Sequence, residues 1–336
     1  MRRTGLTLAL GLCLTGAGAA HATQDDKPAA TTTCNLEQIG ELQIHTVAGQ
    51  LVVDGSINGQ TVQMVVDTGS PGTLLSRPAA VALGLPIRKF EGVQFYGVGG
   101  KDSGESARIK EFKVGALTAS DFDMAVTGEG DMGGAQGLLG AHFLLQADIE
   151  FDVPDGKLRF FMPNTCQTNQ VVYWRKPYAV APMLGAKDDT IKVKVLVNGR
   201  PIEAQMDTGS SISVLTRKGA DDLGVRAGAG DEAGVVRMQG IGPRTVPVSS
   251  HVFSSFAFGD ETIHNARIPV GDLFVDSTVS VLGSNIGQSA VEQPQMLLGA
   301  DFFRSHRIYV SRGQRKVYVS YEGGPVFAED TSAKAN

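Results

Sequence analysis

The chain has 336 residues, 42% hydrophobic and 19% charged, with 42 glycines and only 7% aromatics. That is enough for two cores of ordinary size, and it favours a turn-rich, all-β protein over a helical bundle. The formal net charge of −5 argues against a nucleic-acid-binding surface, and six scattered histidines show no metal-ligand spacing, so no metal and no other cofactor is expected.

Residues 1–22 have the three parts of a secretory signal: Arg2 and Arg3, the apolar stretch from Leu6 to Leu14, and the small-residue site Ala20-His21-Ala22. They predict export to the periplasm or the cell exterior. The apolar stretch falls short of the roughly 20 residues a membrane helix needs, and nothing downstream approaches that length, so no membrane span is expected. Cys13 leaves with the signal. Cys34 and Cys166 remain, and a pair in an exported protein is most simply a disulfide, the alternative being two free buried thiols. Residues 23–40 read as a flexible N-terminus.

The first lobe is assigned to residues 41–162. Apolar runs on either side of Asn58-Gly59 predict a hairpin whose returning strand, Met64-Val65-Val66, ends at Asp67-Thr68-Gly69-Ser70. A short helix follows over Arg77 to Leu83, capped by Ser76 and stopped by Gly84. A Gly-rich turn lies at Gly97-Val98-Gly99-Gly100, an apolar-apolar-Gly motif at Leu138-Leu139-Gly140, and a closing hairpin over residues 149–161. Residues 163–188, with three prolines and the lone Trp174, read as a linker between lobes.

The second lobe, residues 189–323, repeats this order. Asn198-Gly199 is the hairpin turn, Gln205-Met206 runs into Asp207-Thr208-Gly209-Ser210, a helix spans Arg217 to Leu223, and Gly240-Ile241-Gly242 and Leu297-Leu298-Gly299 follow. Asn58 to Asn198 and Asp67 to Asp207 keep one offset of 140 positions, which indicates internal duplication. The halves differ in length between Asp and the apolar-Gly motif: 73 positions separate Asp67 from Gly140, and 92 separate Asp207 from Gly299. The extra residues fall mostly within 271–295, either a loop over a cleft or a surface insertion. A polar, disordered tail is expected over 324–336.

An Asp at the end of an apolar strand, followed by small hydrogen-bonding residues and a Gly, is a carboxylate held at the tip of a sharp turn. Two such tips meeting about an approximate two-fold axis would place their carboxyls roughly 3 Å apart, where like charges cannot both ionise easily and one proton is shared. These residues resemble the aspartic proteases, in particular a two-lobed, single-chain form of the retropepsin-like branch, and the resemblance covers roughly residues 50–160 and 190–320. It implies the two-lobed acid-protease fold with the cleft between lobes, and an aspartic endopeptidase active as a monomer on a polypeptide substrate. Asp67 and Asp207 would be catalytic. Thr68 and Thr208 would hydrogen-bond across the axis, Gly69 and Gly209 would permit close backbone approach, and Ser70 and Ser210 would orient the carboxylates from behind. Gly97, Gly99 and Gly100 in one half and Gly240, Ile241 and Gly242 in the other would form two flaps over an extended substrate, where two ordinary hairpin turns are the plainer reading. Tyr96 would touch substrate, with Gln239 at the matching place. A peptide-binding protein without catalysis on the same fold is the rival reading.

Overall fold

A computed structural model describes residues 36–128, 132–162, 171–185, 190–225, 235–240, 242–274, 278–279, 289–290 and 293–327. The signal segment, Cys34, Cys166, Ile241 and the end of the tail lie outside the described residues.

Among the described residues three large β-sheets build the molecule, two of them made on one plan. In the first lobe the strands run, side by side, His45–Val47, Gln50–Ile57, Gln60–Val66, Gly137–Leu139, Leu74–Leu75, Leu117–Val126, Gly100–Val114 and Ile87–Gly97. The second lobe repeats the order without the first strand, from Lys192–Val197 through Arg200–Met206, Met296–Leu298, Val214–Thr216, Glu261–Gly271 and Val246–Phe258 to Val235–Met238. Local chemistry accounts for the matching turns. Asn58-Gly59 and Asn198-Gly199 all take positive φ, the backbone that two-residue hairpins between twisted strands require. Both Asn side chains then accept backbone amides from a neighbouring strand, Asn58 from Lys110 and Glu111 and Asn198 from Ser255.

Short helices follow each Asp-bearing loop. Ser76 caps Arg77–Ala82 by accepting from the Ala79 amide, and Thr216 caps Arg217–Leu223 by accepting from Gly219. Gly224 takes the left-handed C-cap conformation, and Gly84 the same φ sign just past its own helix. Alternation puts Ile191, Val193, Val195 and Val197 into the core while Lys192, Lys194 and Leu196 face outward, as a half-buried strand demands.

The third sheet joins the lobes. Its order is Gln38–Gln43, Lys157–Phe161, Asp148–Asp152, His306–Ser311, Lys316–Tyr321 and Ala179–Pro182, with Ile149 of one half opposite Val310 of the other. Fully buried Glu150 accepts hydrogen bonds here from Arg159, from Tyr173 and from Arg307, so cations from both halves converge on one carboxylate. Arg307 also stacks 5.0 Å from the Tyr173 ring and 4.8 Å from Trp174.

The fold differs from the sequence reading at three places. The segment assigned as flexible to residue 40 already contains the start of strand Gln38–Gln43. The linker contains strand Ala179–Pro182, paired with Lys316–Tyr321. The tail begins with buried Val326 and Phe327, the latter edge-on to Phe256 at 5.0 Å. Each is a short segment whose order comes from a distant strand edge or apolar patch that needs covering, which local composition does not report.

Candidate active site

Asp67 follows strand Gln60–Val66 and Asp207 follows strand Arg200–Met206. The strand Gln60–Val66 lies parallel to Gly137–Leu139, and Arg200–Met206 parallel to Met296–Leu298. The ladders continue one bond past the strand ends, from the Asp67 amide to Leu139 (3.0 Å) and from the Asp207 amide to Leu298 (2.9 Å). Each Asp is thus anchored by its own backbone to the apolar-Gly motif of its half. Gly140 and Gly299 close the joint: a Cβ on Gly140 would lie 2.3 Å from the Gly72 carbonyl oxygen, and one on Gly299 would lie 2.5 Å from the Ile212 carbonyl.

The loops interlock through their threonines. The Thr68 amide donates to Thr208 Oγ1 (3.0 Å) and the Thr208 amide to Thr68 Oγ1 (3.1 Å). Each hydroxyl then donates to the last strand residue of the other half, Thr68 Oγ1 to the Met206 carbonyl (2.8 Å) and Thr208 Oγ1 to the Val66 carbonyl (2.6 Å). All four groups are buried and satisfied, and such a network holds two segments in one geometry.

The glycines let the halves approach. A Cβ on Gly69 would stand 2.3 Å from Asp207 Cγ, and one on Gly209 would stand 2.3 Å from Asp67 Cγ. Each carboxyl therefore lies against the backbone of the opposite loop. On its own side, Asp67 Oδ1 accepts from the amides of Gly69 (2.8 Å) and Ser70 (2.9 Å), and Asp207 Oδ1 from Gly209 (3.0 Å) and Ser210 (3.3 Å).

The serines correct the sequence reading. Ser70 Oγ donates to the Gly72 carbonyl (2.9 Å) and Ser210 Oγ to the Ile212 carbonyl (2.7 Å), so the hydroxyls brace the turns. Their backbone amides are the groups that hold the carboxylates. The cause is the turn itself, which points the amides inward and leaves each hydroxyl beside a carbonyl two residues on.

The two carboxyls are close enough for the charge on one to act on the other. Burial raises the Asp67 carboxyl, against the pull of the Ser70 and Gly69 amides. Asp207 is pushed up to about 8, by burial first and by the neighbouring Asp67 charge second, against the amides of Ser210 and Gly209. The physical consequence is a pair that keeps one proton through the neutral range, the titration belonging to the pair and not to either carboxyl alone.

A cavity of about 890 Å³ lies over the pair and contains Asp67, Asp207, Tyr96, Gly97, Gln239 and Gly240 in its lining. Of the sequence-predicted flap residues, Tyr96, Gly97 and Gly240 face this cavity. Gly99 and Gly242 instead form a joint above it: the Gly242 amide donates to the Val98 carbonyl (3.0 Å), the Arg244 amide to the Gly99 carbonyl (3.3 Å), and the Gly99 amide to the Leu273 carbonyl (3.1 Å). Gly99 has φ +87°, and a Cβ there would lie 2.2 Å from the Arg244 carbonyl oxygen. The two Gly-rich turns are not alike. In the first lobe Gly97 pairs with Gly100 in a two-residue hairpin, whereas in the second Met238 pairs with Val246 and a longer loop connects them.

Sequence reading missed Asp301 and the glutamines that precede each apolar-Gly motif. Buried Asp301 accepts from the Ser213 amide (2.8 Å), the Ser213 hydroxyl (2.6 Å) and the Phe302 amide (2.8 Å), while Ser213 Oγ accepts from the Gly299 amide (2.9 Å). Burial raises the Asp301 carboxyl, and its Ser213 bonds oppose that rise. Gln136 Oε1 takes the Gln63 amide (2.7 Å) and Gln295 Oε1 the Glu203 amide (2.6 Å). Their recurrence in both halves was a usable signal; Asp301, matched by exposed His142 in the first lobe, had no repeat to reveal it.

Among the described residues no group of His, Cys, Asp and Glu is placed to hold a metal ion, and no helix is long and apolar enough to cross a membrane. Comparison with curated protein sequences yields no match. Among solved structures, the chain is similar to the crystal structure of an aspartic proteinase from Irpex lacteus, with a TM-score of 0.48 and 13% identity over 84% of this chain and 97% of that one. The family model described as aspartyl protease matches residues 53–143 and 193–302, one segment in each lobe and each containing one Asp-Thr-Gly-Ser loop with its apolar-Gly partner. Matched over more than half its length, the chain belongs to the aspartyl protease family.

Proposed function

We propose that the protein is an aspartic endopeptidase in which Asp67 and Asp207 act as one catalytic dyad on an extended polypeptide. The observation that carries this reading is a pair of carboxyls, one from each lobe, each lying against the glycine of the opposite loop, in the lining of a single cavity. A pair that holds one proton has a base and an acid available at once. The ionised carboxylate takes a proton from water as its oxygen adds to the peptide carbonyl carbon. The protonated partner gives its proton to the carbonyl oxygen. Collapse of the tetrahedral adduct breaks the C–N bond as the first carboxyl gives its proton to the amine nitrogen and the second takes one back from an adduct hydroxyl, so the starting protonation state returns. Both carboxyls come from one chain, which supports a monomer as the active unit, and the signal-like N-terminus supports action outside the cytosol.

The test is hydrolysis of casein by residues 23–336 from acidic to mildly alkaline pH. Asp67→Asn and Asp207→Asn are each expected to lower the rate by at least about 10³-fold with the fold unchanged by circular dichroism. Activity in the parent should fall as pH rises through the upper step of the dyad, near 8, because the shared proton is then lost. Substantial hydrolysis by either Asn variant overturns the two-carboxyl mechanism.

A further inference from the structure

The cleft has two apolar flanks, and they are built differently. On the first-lobe side Val52, Val65, Leu74 and Leu138 form a small cluster with Met132 packed against it, and Met132, Leu74 and Leu138 line the cavity. On the second-lobe side Leu297, Val214 and buried Leu273 form the matching cluster, with Phe274 packed against it, and Phe274 and Leu297 line the same cavity. Leu138 and Leu297 occupy equivalent places in the two motifs. Met132 and Phe274 likewise stand in equivalent connections, between the strand ends Val126 and Gly271 and the glutamines Gln136 and Gln295. The second of these connections contains the extra residues of the second half.

The two side chains differ in what they tolerate. Methionine is unbranched, with a polarisable sulfur and several rotatable bonds, and fills a space by adapting to its occupant. Phenylalanine is a flat, rigid wall. The backbone around Phe274 is also fixed at two successive carbonyls. Leu273 accepts the Gly99 amide from the hairpin tip of the other lobe, and Phe274 accepts Gln293 Nε2 at 3.3 Å. Gln293 and Pro294, at the far end of the same connection, line the cavity too.

We infer that Phe274 is a specificity-determining residue: it sets the size of the side-chain pocket on the second-lobe side of the cleft, while Met132 leaves the first-lobe pocket permissive. The substrate class is then a polypeptide with a size-restricted apolar side chain on one side of the cut bond and a broader choice on the other. This rests on the catalytic reading above.

The experiment maps cut sites by mass spectrometry in a mixture of unstructured peptides for the parent enzyme, Phe274→Met, Phe274→Ala and Met132→Phe. The parent should show a narrow preference on one side of the cut bond and a broad one on the other. Phe274→Met and Phe274→Ala should broaden the narrow side alone and lower kcat/KM for the preferred peptide about tenfold, the scale of a changed apolar contact in a pocket. Met132→Phe, which adds a ring where the parent has none, should narrow the other side. A parent profile equally broad on both sides, or variants that slow every site equally without changing the profile, would overturn the inference while leaving the dyad intact. A parent that cuts nothing would remove the catalytic reading and this inference with it.

Discussion

The loop after Asp67 and the loop after Asp207 carry the same chemistry on different supports. Both present a carboxyl to two following amides, both cross-bond through threonine, and both need a glycine under the opposite carboxyl. Behind them the plans diverge. In the first lobe Thr73 Oγ1 takes the Gly140 amide (3.1 Å) and His142 is exposed. In the second, Ser213 takes the Gly299 amide and is itself held by the buried Asp301 carboxylate. The difference teaches that the groups facing the cavity and the groups facing the core answer to separate constraints. Two loops that must meet each other have to match. Their supports must satisfy only their own buried amides, which a hydroxyl alone or a hydroxyl with a carboxylate can do.

The largest expected effect tests the shared part. Gly69→Ala and Gly209→Ala would each drive a methyl into the opposite carboxyl, so both should abolish casein hydrolysis in equal measure. Activity retained in one of them would show that the two loops are not equivalent at the point of contact.

The supports come next, and here the halves should separate. Asp301→Ala leaves the Ser213 amide and hydroxyl without their partner in a buried site, at a cost of about 3 kcal/mol in denaturant unfolding. His142→Ala, at the matching position but exposed, should stay within about 0.5 kcal/mol of the parent. Equal losses would break the contrast.

A further effect is graded with pH. A buried carboxyl whose folded value is raised binds its proton more tightly in the folded state, so its stabilising contribution is complete below the unfolded value near 4 and is lost as pH rises through the folded one. Parent stability should therefore fall between about pH 4 and 8. Asp207→Asn should flatten that fall by up to about 1.4 kcal/mol per pH unit, measured as Tm against pH. Asp67, Asp148 and Asp301, raised by burial as well, leave a residual slope in the variant.

Much of this architecture was legible in the residues because its signals are local. Asn-Gly between apolar runs sets a hairpin, Ser76 and Thr216 set helix starts, and an apolar strand broken by Asp-Thr-Gly sets a carboxyl at a strand end. Repetition of those signals at one offset made the duplication readable. The roles of Ser70 and Ser210 were not, since a hydroxyl and an amide on one residue compete for the same neighbourhood, and only the turn's geometry decides which meets the carboxylate.

What the sequence by itself determined is the pair of lobes and the kinds of group each places at its strand end, because hydrophobic period, turn residues and caps act over a few positions. Tertiary structure alone decided what those groups touch. It crossed each carboxyl over the opposite glycine and joined Gly99 to Leu273 above the cavity. It brought Glu150 under arginines from both halves and drew Gln38–Gln43, Ala179–Pro182 and Phe327 into order against distant partners. These contacts span most of the chain, and their cause is the burial of apolar faces and strand edges that no local stretch can satisfy alone.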